Sequence, residues 1–136
     1  MVPIYRQDLV ILMESGYIYL GMAKFQEALE VFEGVAVLAP ESEIPWVAAG
    51  TVHFARMNYD RALKSYKKAL SLKADSPYAR AYMGETLFFK GRDAEAMKEL
   101  EKASLLEPEG AAGDFARSLM DAVKKGFVPP GKIKSR

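Results

Sequence analysis

A 34-residue period constrains the fold of this chain more than any other feature of its sequence. Three sets of small or helix-ending residues recur at this interval in one common phase. They are Gly16, Gly50 and Gly84, then Ala28, Ala62 and Ala96, then Pro40, Ala74 and Pro108. A period of this length is typical of proteins built from stacked copies of one small unit.

Each copy of the period is predicted to fold as two amphipathic helices joined by a turn. Before Pro40, the residues Ala28, Leu29, Phe32 and Val35 follow the spacing of one helix face. Small residues recur where two paired helices must approach closely. The predicted helices are Pro3–Leu20, Lys24–Leu38, Glu43–Arg56 after the cap residue Ser42, Tyr59–Leu72, Pro77–Phe89 after the cap residue Ser76, and a sixth that ends near Leu106. No segment has a strand pattern, so the sequence predicts an all-α fold.

These residues resemble the tetratricopeptide repeat, a helix–turn–helix unit of 34 residues. The matching positions are Gly16, Tyr19, Phe25, Ala28, Phe32 and Pro40 in the first repeat, Trp46, Gly50, Tyr59, Ala62, Tyr66 and Ala69 in the second, and Gly84, Gly91, Ala96, Ala103 and Pro108 in the third. The chain departs from the family pattern at Ala23, Val35, His53, Met57 and Ala74. The resemblance extends from Leu9 to Gly110 and implies a right-handed superhelical stack of three repeats, over residues 9–42, 43–76 and 77–110.

One more helix is predicted after the third repeat, at residues 114–125. Its apolar residues Phe115, Leu119 and Val123 recur at helical spacing, and Gly126 ends it. A stack of repeats leaves an open apolar end, so we expect this helix to cap the stack. Residues 1–125 are predicted to form one domain. Residues 126–136 contain two prolines and are predicted to be a basic, disordered tail.

The composition excludes several classes of protein. The formal net charge is +1, with five cationic residues among the last thirteen, so we expect no nucleic-acid partner. The chain has no cysteine, which excludes disulfides and thiolate metal sites and favours a reducing compartment. The sequence has no signal-peptide pattern and no apolar run near the roughly 20 residues that span a bilayer. We therefore expect a cytoplasmic protein that does not enter a membrane.

No cluster of residues predicts catalysis, a cofactor or a metal site. The single histidine, His53, lies where the family has a large aromatic residue, and we interpret it as a packing residue. Glutamates of the predicted helices lie among lysine and alanine, as on a solvated helix face. Arg61, Lys64 and Lys68 are interpreted in the same way, with a docking patch as the alternative. The phosphate-binding and metalloprotease motifs are absent from the sequence, so we expect no enzyme.

The family fold implies a concave groove lined by the first helix of each repeat. The predicted groove residues are Met13, Tyr17 and Leu20, then Val47, Thr51 and Phe54, then Tyr78, Tyr82, Glu85 and Phe89, with Val10 and Phe88 beside them. The alternative, that a residue only packs between helices, applies to part of this set. Adjacent and i+4 aromatic residues cannot all enter one interface, so some aromatic surface is expected. Such a groove suits an apolar or amphipathic segment of a partner protein, either helical or extended.

Two groups within the family imply different partners. One group clamps the C-terminal carboxylate of heat-shock chaperones with Lys, Asn and Arg side chains. The matching positions here are Met13, Tyr17, Ala48, Tyr78 and Tyr82, so a carboxylate would meet no cation. The length and first repeat are similar to type III secretion chaperones of Gram-negative bacteria, which hold needle or translocator subunits in the cytosol before export. The alternatives are a scaffold that joins two proteins and a regulatory subunit with a small-molecule site; a homo-oligomer is compatible with each.

Overall fold

The structure is a computed structural model that describes residues 5–130. These residues form seven α-helices and no strand, which confirms the predicted all-α fold. The chain divides into two compact units, Met1–Ala74 (unit 1) and Asp75–Arg136 (unit 2). Each unit is described by itself below, and the single domain expected over residues 1–125 stays a prediction.

Unit 1 consists of two helix pairs. Its helices are α1 (Arg6–Gly21), α2 (Phe25–Leu38), α3 (Ile44–Ala55) and α4 (Tyr59–Leu72). Each helix packs on the next one along the chain. The bounds agree with the predicted helices to within one residue, apart from the beginning of α1, where the predicted Pro3 and Ile4 lie outside the described residues. Ser42 precedes the cap position of α3, and its hydroxyl accepts a hydrogen bond from the N–H of Ile44 at 3.2 Å.

A glycine on the first helix of each pair allows the second helix to come close. A Cβ atom on Gly16 would overlap the ring of Phe32 on α2, and one on Gly50 would overlap the ring of Tyr66 on α4. Both rings are almost completely buried. The 34-residue recurrence of glycine therefore marks the helix contact within each pair.

The turns after α1 and α3 share one backbone pattern. Lys24 donates its N–H to the carbonyl of Tyr19 at 2.8 Å, and Asn58 donates to the carbonyl of His53 at 2.8 Å. The residue before each donor has a left-handed φ of 59°, although it is Ala23 in one turn and Met57 in the other. These are two of the positions at which the sequence departs from the family pattern, so the turn geometry is kept without glycine.

Unit 2 consists of one helix pair and a further helix. Its helices are α5 (Pro77–Phe89), α6 (Asp93–Leu106) and α7 (Ala111–Lys124). The Ser76 hydroxyl caps α5 by accepting the N–H of Ala79 at 3.2 Å, as the Ser-Pro sequence predicts. A Cβ atom on Gly84 would overlap Leu100 on α6, which repeats the glycine contact of unit 1.

Helix α7 packs on both α5 and α6. Ala112, Gly113 and Ala116 are buried, and Phe115, Leu119 and Met120 pack against the core cluster around Leu100. The helix begins at Ala111, three residues before the predicted position, directly after Gly110, whose φ of 149° few other residues adopt. A Cβ atom on Gly113 would overlap the backbone carbonyl of Glu107, so the first turn of α7 lies directly against the preceding loop.

Candidate partner-binding site

Unit 1 contains an apolar cleft of about 400 Å³ beside α1. Its walls come from α1, the end of α2 and the beginning of α3. The apolar lining residues are Leu9, Val10, Met13, Tyr17, Val35, Ala39, Ile44 and Pro45, and the polar or charged ones are Arg6, Glu14, Glu41 and Ser42. This composition is that of a surface that buries apolar side chains and fixes their orientation with a few polar groups.

Helix α1 supplies one wall of the cleft through residues three and four positions apart. Val10, Met13 and Tyr17 lie on one face of the helix because of this spacing. The Tyr17 ring lies 5.1 Å from the ring of Phe32, which is fully buried, yet Tyr17 remains 46% exposed. The core thus fixes one side of this ring and leaves the remainder accessible.

The structure brings only some of the predicted groove residues of unit 1 into this cleft. Met13 and Tyr17 line it, whereas Leu20 packs on the core cluster around Phe32. Val47 is buried, and its carbonyl accepts the hydroxyl hydrogen bond of Thr51 at 3.1 Å. The ring of Phe54 packs 5.4 Å from that of Tyr59. Leu20, Val47, Thr51 and Phe54 are therefore not residues of this cleft.

Several lining residues were not among the predicted groove residues. Val35 and Ala39 belong to the second helix of the first pair and its end, and Ile44 and Pro45 begin the next helix. One indication in the sequence that this region lines a cleft is the apolar residue Ile44 at the first position of a helix. Spacing within one helix does not reveal that the ends of neighbouring helices meet at a common opening.

A second cleft in unit 1, of about 290 Å³, contains His53. Trp46 and Ser65 also line it, and the Lys68 Nζ lies 5.8 Å from the centre of the Trp46 ring. Burial, with the nearby guanidinium groups of Arg61 and Arg56, lowers the pKa of His53 below its ordinary value. At neutral pH the imidazole is therefore neutral, as suits a packing residue.

In unit 2, two tyrosines of α5 differ in exposure. The ring centres of Tyr78 and Tyr82 lie 5.9 Å apart, and those of Tyr82 and Phe115 on α7 lie 5.6 Å apart in an edge-to-face arrangement. Tyr78 is 42% exposed. Tyr82 thus helps to attach α7, while Tyr78 provides part of the aromatic surface that the sequence predicts.

Glu85 lies three residues after Tyr82 on α5 and is partly buried. Burial raises the pKa of its carboxyl group to about 7. Near neutral pH both protonation states are populated, so this group can donate a hydrogen bond as an acid or accept one as a carboxylate.

The end of α5 carries the predicted groove residue Phe89 and its neighbour Phe88. The two rings lie 6.3 Å apart in an edge-to-face arrangement, and Phe88 is only 4% exposed. Phe88 is covered in part by Phe127, whose ring stacks on it at 5.8 Å. The first residues of the predicted tail therefore pack on unit 2, whereas residues 131–136 lie outside the described residues.

Within residues 5–130, no three acidic or histidine side chains are grouped so that they could hold a metal ion. None of the helices in this range has the length and apolar character needed to cross a membrane.

Comparison with known proteins identifies the helix pairs. Residues 53–119 match the family model of the tetratricopeptide repeat. The helix pairs have the tetratricopeptide-repeat fold. No curated protein sequence matches the chain, but solved structures match most of its length.

Three of these structures are similar to the repeat chain in fold. The type III secretion translocator chaperone SycD of Yersinia enterocolitica is 23% identical, with a TM-score of 0.78 over 87% of this chain and 91% of SycD. SycD has also been solved with a peptide of the translocator YopD and as an alternative dimer. PcrH of Pseudomonas aeruginosa is 18% identical, with a TM-score of 0.78 over 90% of this chain and 96% of PcrH; it has been solved with the chaperone-binding region of PopD. The first tetratricopeptide repeat domain of Spaghetti (RPAP3), bound to the HSP90 peptide SRMEEVD, is 21% identical, with a TM-score of 0.72 over 91% of this chain and 99% of that domain.

Proposed function

We propose that this chain is a protein-interaction module that binds an apolar or amphipathic segment of a partner protein, either helical or extended. The observation that carries the proposal is the apolar cleft of about 400 Å³ beside α1. Clefts that bind ligands typically have volumes of about 300–1,000 Å³ and a mainly apolar lining with a few polar groups. Apolar side chains of the partner segment would fill the cleft, and its polar groups would meet Arg6, Glu14 or Glu41.

The finer proposal is that the partner is a secreted subunit and that this chain is its chaperone. SycD and PcrH, which have the same fold, are bound to a peptide of YopD and a region of PopD in their solved structures. A chaperone of this kind covers the apolar segment of its client before export, so we propose that this chain acts in the cytoplasm. The HSP90 peptide of the RPAP3 complex is a less suitable model, because this chain has apolar or aromatic residues at the five clamp positions.

The proposal can be tested by placing a charge in the cleft. Val10, which is 49% exposed, lines the cleft, and the adjacent Ile11, which is 59% exposed, does not. A partner captured from the native cell and reduced to its binding segment would be titrated against Val10→Glu and Ile11→Glu. We expect Val10→Glu to weaken binding by about ten-fold or more, because apolar anchors typically contribute more than about 1 kcal/mol and the new carboxylate would be desolvated. Ile11→Glu should change the affinity little. This pair is preferred to alanine variants of Phe54 or Tyr82, whose rings pack within the fold.

Binding through the cleft should depend little on salt, because the contact is mainly apolar. Unchanged affinity in Val10→Glu, together with strong salt dependence in the parent, would contradict the proposal and favour the cationic surface of Arg61, Lys64 and Lys68. Simultaneous binding of two proteins would indicate a scaffold, and a small molecule retained through purification would indicate a regulatory subunit.

A further inference from the structure

The segment that follows α7 packs on unit 2 without forming a helix. Residues 127–129 are non-helical. The Phe127 ring stacks on Phe88 with an interplanar angle of 27° and keeps 40% of its surface exposed. Two residues later, Pro129 is buried. The segment therefore contacts α5 through the Phe127 ring, and it buries the side chain of Pro129.

A glycine directs this segment back towards α5. Gly126 has a φ of 97°, and the N–H of Phe127 donates to the carbonyl of Ala122 at 2.9 Å. The same pattern follows α5, where Arg92 donates to Leu87 at 2.9 Å. After α5 the chain continues into α6, whereas after α7 the residue before Pro129 is biased away from helical geometry. Residues 127–130 thus follow the same type of turn as the one after α5, but they do not form a helix.

The contact uses chemistry that a segment of another protein can also supply. A phenylalanine ring stacks on one face of Phe88, and the prolines reduce the conformational entropy that the segment loses when it docks. Because the segment is tethered, its effective concentration at the site is in the millimolar range, so it remains in place with a weak intrinsic affinity. A partner segment that makes additional contacts can therefore replace it.

We infer that residues 127–130 are an intramolecular ligand of the end of α5, at Phe88. The same surface binds a non-helical segment of a partner, in which an aromatic residue is followed two positions later by proline. Binding of the partner segment displaces Phe127 and Pro129. This inference rests on the proposed function only in assuming that the chain binds segments of other proteins.

The inference is tested by adding the segment back as a separate molecule. The probe is a fluorescent synthetic peptide with the sequence GFVPPG, which is that of residues 126–131. It would be titrated against the full-length parent, Phe127→Ala, and the control Val37→Ala, which removes an exposed apolar side chain from α2 in unit 1. We expect Phe127→Ala to bind the peptide at least about ten-fold more tightly than the parent, because its own segment no longer competes. Val37→Ala should behave like the parent, and a peptide with alanine in place of phenylalanine should bind none of the proteins.

A second variant keeps the aromatic ring and disturbs the turn. Gly126→Ala places a Cβ atom at a left-handed φ, so the segment should be released partly and peptide affinity should rise by an intermediate factor. Circular dichroism spectra would show that both variants remain helical. Equal peptide affinity in the parent and both variants, or no binding to any of them, would overturn the inference. The peptide assay needs no external partner. A negative result would therefore count against this inference alone, whereas an unchanged partner affinity in Val10→Glu would count against the proposed function.

Discussion

Gly50 and Gly34 differ in what surrounds their Cα atoms, although both are helix-interior glycines. Gly50 faces the ring of Tyr66, which is almost completely buried, whereas nothing lies within 4 Å of the position that a Cβ on Gly34 would take. The first glycine is required by a helix contact. The second lowers helix stability without a packing reason.

The same substitution at these two residues should have opposite effects. Gly50→Leu should destabilise the protein by about 1–3 kcal/mol or more, because the helices of the pair must separate or Tyr66 must move. Gly34→Leu should stabilise it by roughly 0.5–1 kcal/mol through helix propensity alone. Thermal unfolding followed by circular dichroism would measure both, with Gly50→Leu lowering the melting temperature by several degrees. A melting temperature for Gly50→Leu equal to that of the parent would be evidence against the helix contact.

Residue periodicity predicts packing within a helix pair but not exposure at a surface. The recurrence of Gly16, Gly50 and Gly84 was sufficient to predict the close contacts that the structure has. Val47 has the spacing of a groove residue and is nevertheless buried, while Val35 is buried, as its spacing predicts, and also lines the cleft. Exposure depends on the distance to the neighbouring helix, which periodicity does not contain.

For α7, the sequence predicts the helix and its apolar face but not the contacts of its arginine, Arg117. Its existence and its apolar face were predictable from residues such as Phe115 and Leu119. The role of Arg117 was not, because a lone arginine on an amphipathic helix usually reaches solvent. In the structure one Arg117 nitrogen contacts the carbonyls of Ser104 and Glu107, each at 3.3 Å, and the other contacts Asp114 at 2.6 Å. These carbonyls end α6, where a helix has no internal donors for them.

Replacing Arg117 should therefore loosen α7. We expect Arg117→Met to lower the free energy of unfolding by about 1–2 kcal/mol, because partly buried carbonyls lose their donor. The matched change Arg92→Met removes an exposed i,i+3 ion pair with Glu95 and should cost less than about 0.5 kcal/mol. Urea unfolding of the two variants would compare them directly. Equal unfolding midpoints would mean that Arg117 does not attach α7.

At the scale of the whole molecule, α1 is the least covered helix. It exposes five large apolar side chains, Val10, Ile11, Leu12, Tyr17 and Ile18. Val10 and Tyr17 belong to the cleft. A separate exposed face is formed by Ile11, by Ile18 seven residues later, and by Met22 four residues after that. Exposed apolar faces of this kind usually mark an interaction surface.

We predict that this second face of α1 pairs with a second copy of the chain. Light scattering coupled to gel filtration should give a dimeric mass for the parent and a monomeric mass for Ile18→Glu, because burial of unpaired carboxylates is costly. Val10→Glu is the control and should remain dimeric. A parent that is monomeric at every concentration would contradict the prediction.

The turn at Gly126 also bears on how such a chain can change its length over evolution. Helix α7 ends in the same reversal that leads from α5 into α6, so it has the form of the first half of another unit. An array of this kind gains or loses copies by in-frame duplication of whole units. A helix placed directly after Gly126 would include positions 129 and 130 in its first turn, and the two prolines there bias the residues before them away from helical geometry. The two prolines therefore disfavour the second helix of a further unit directly after this turn.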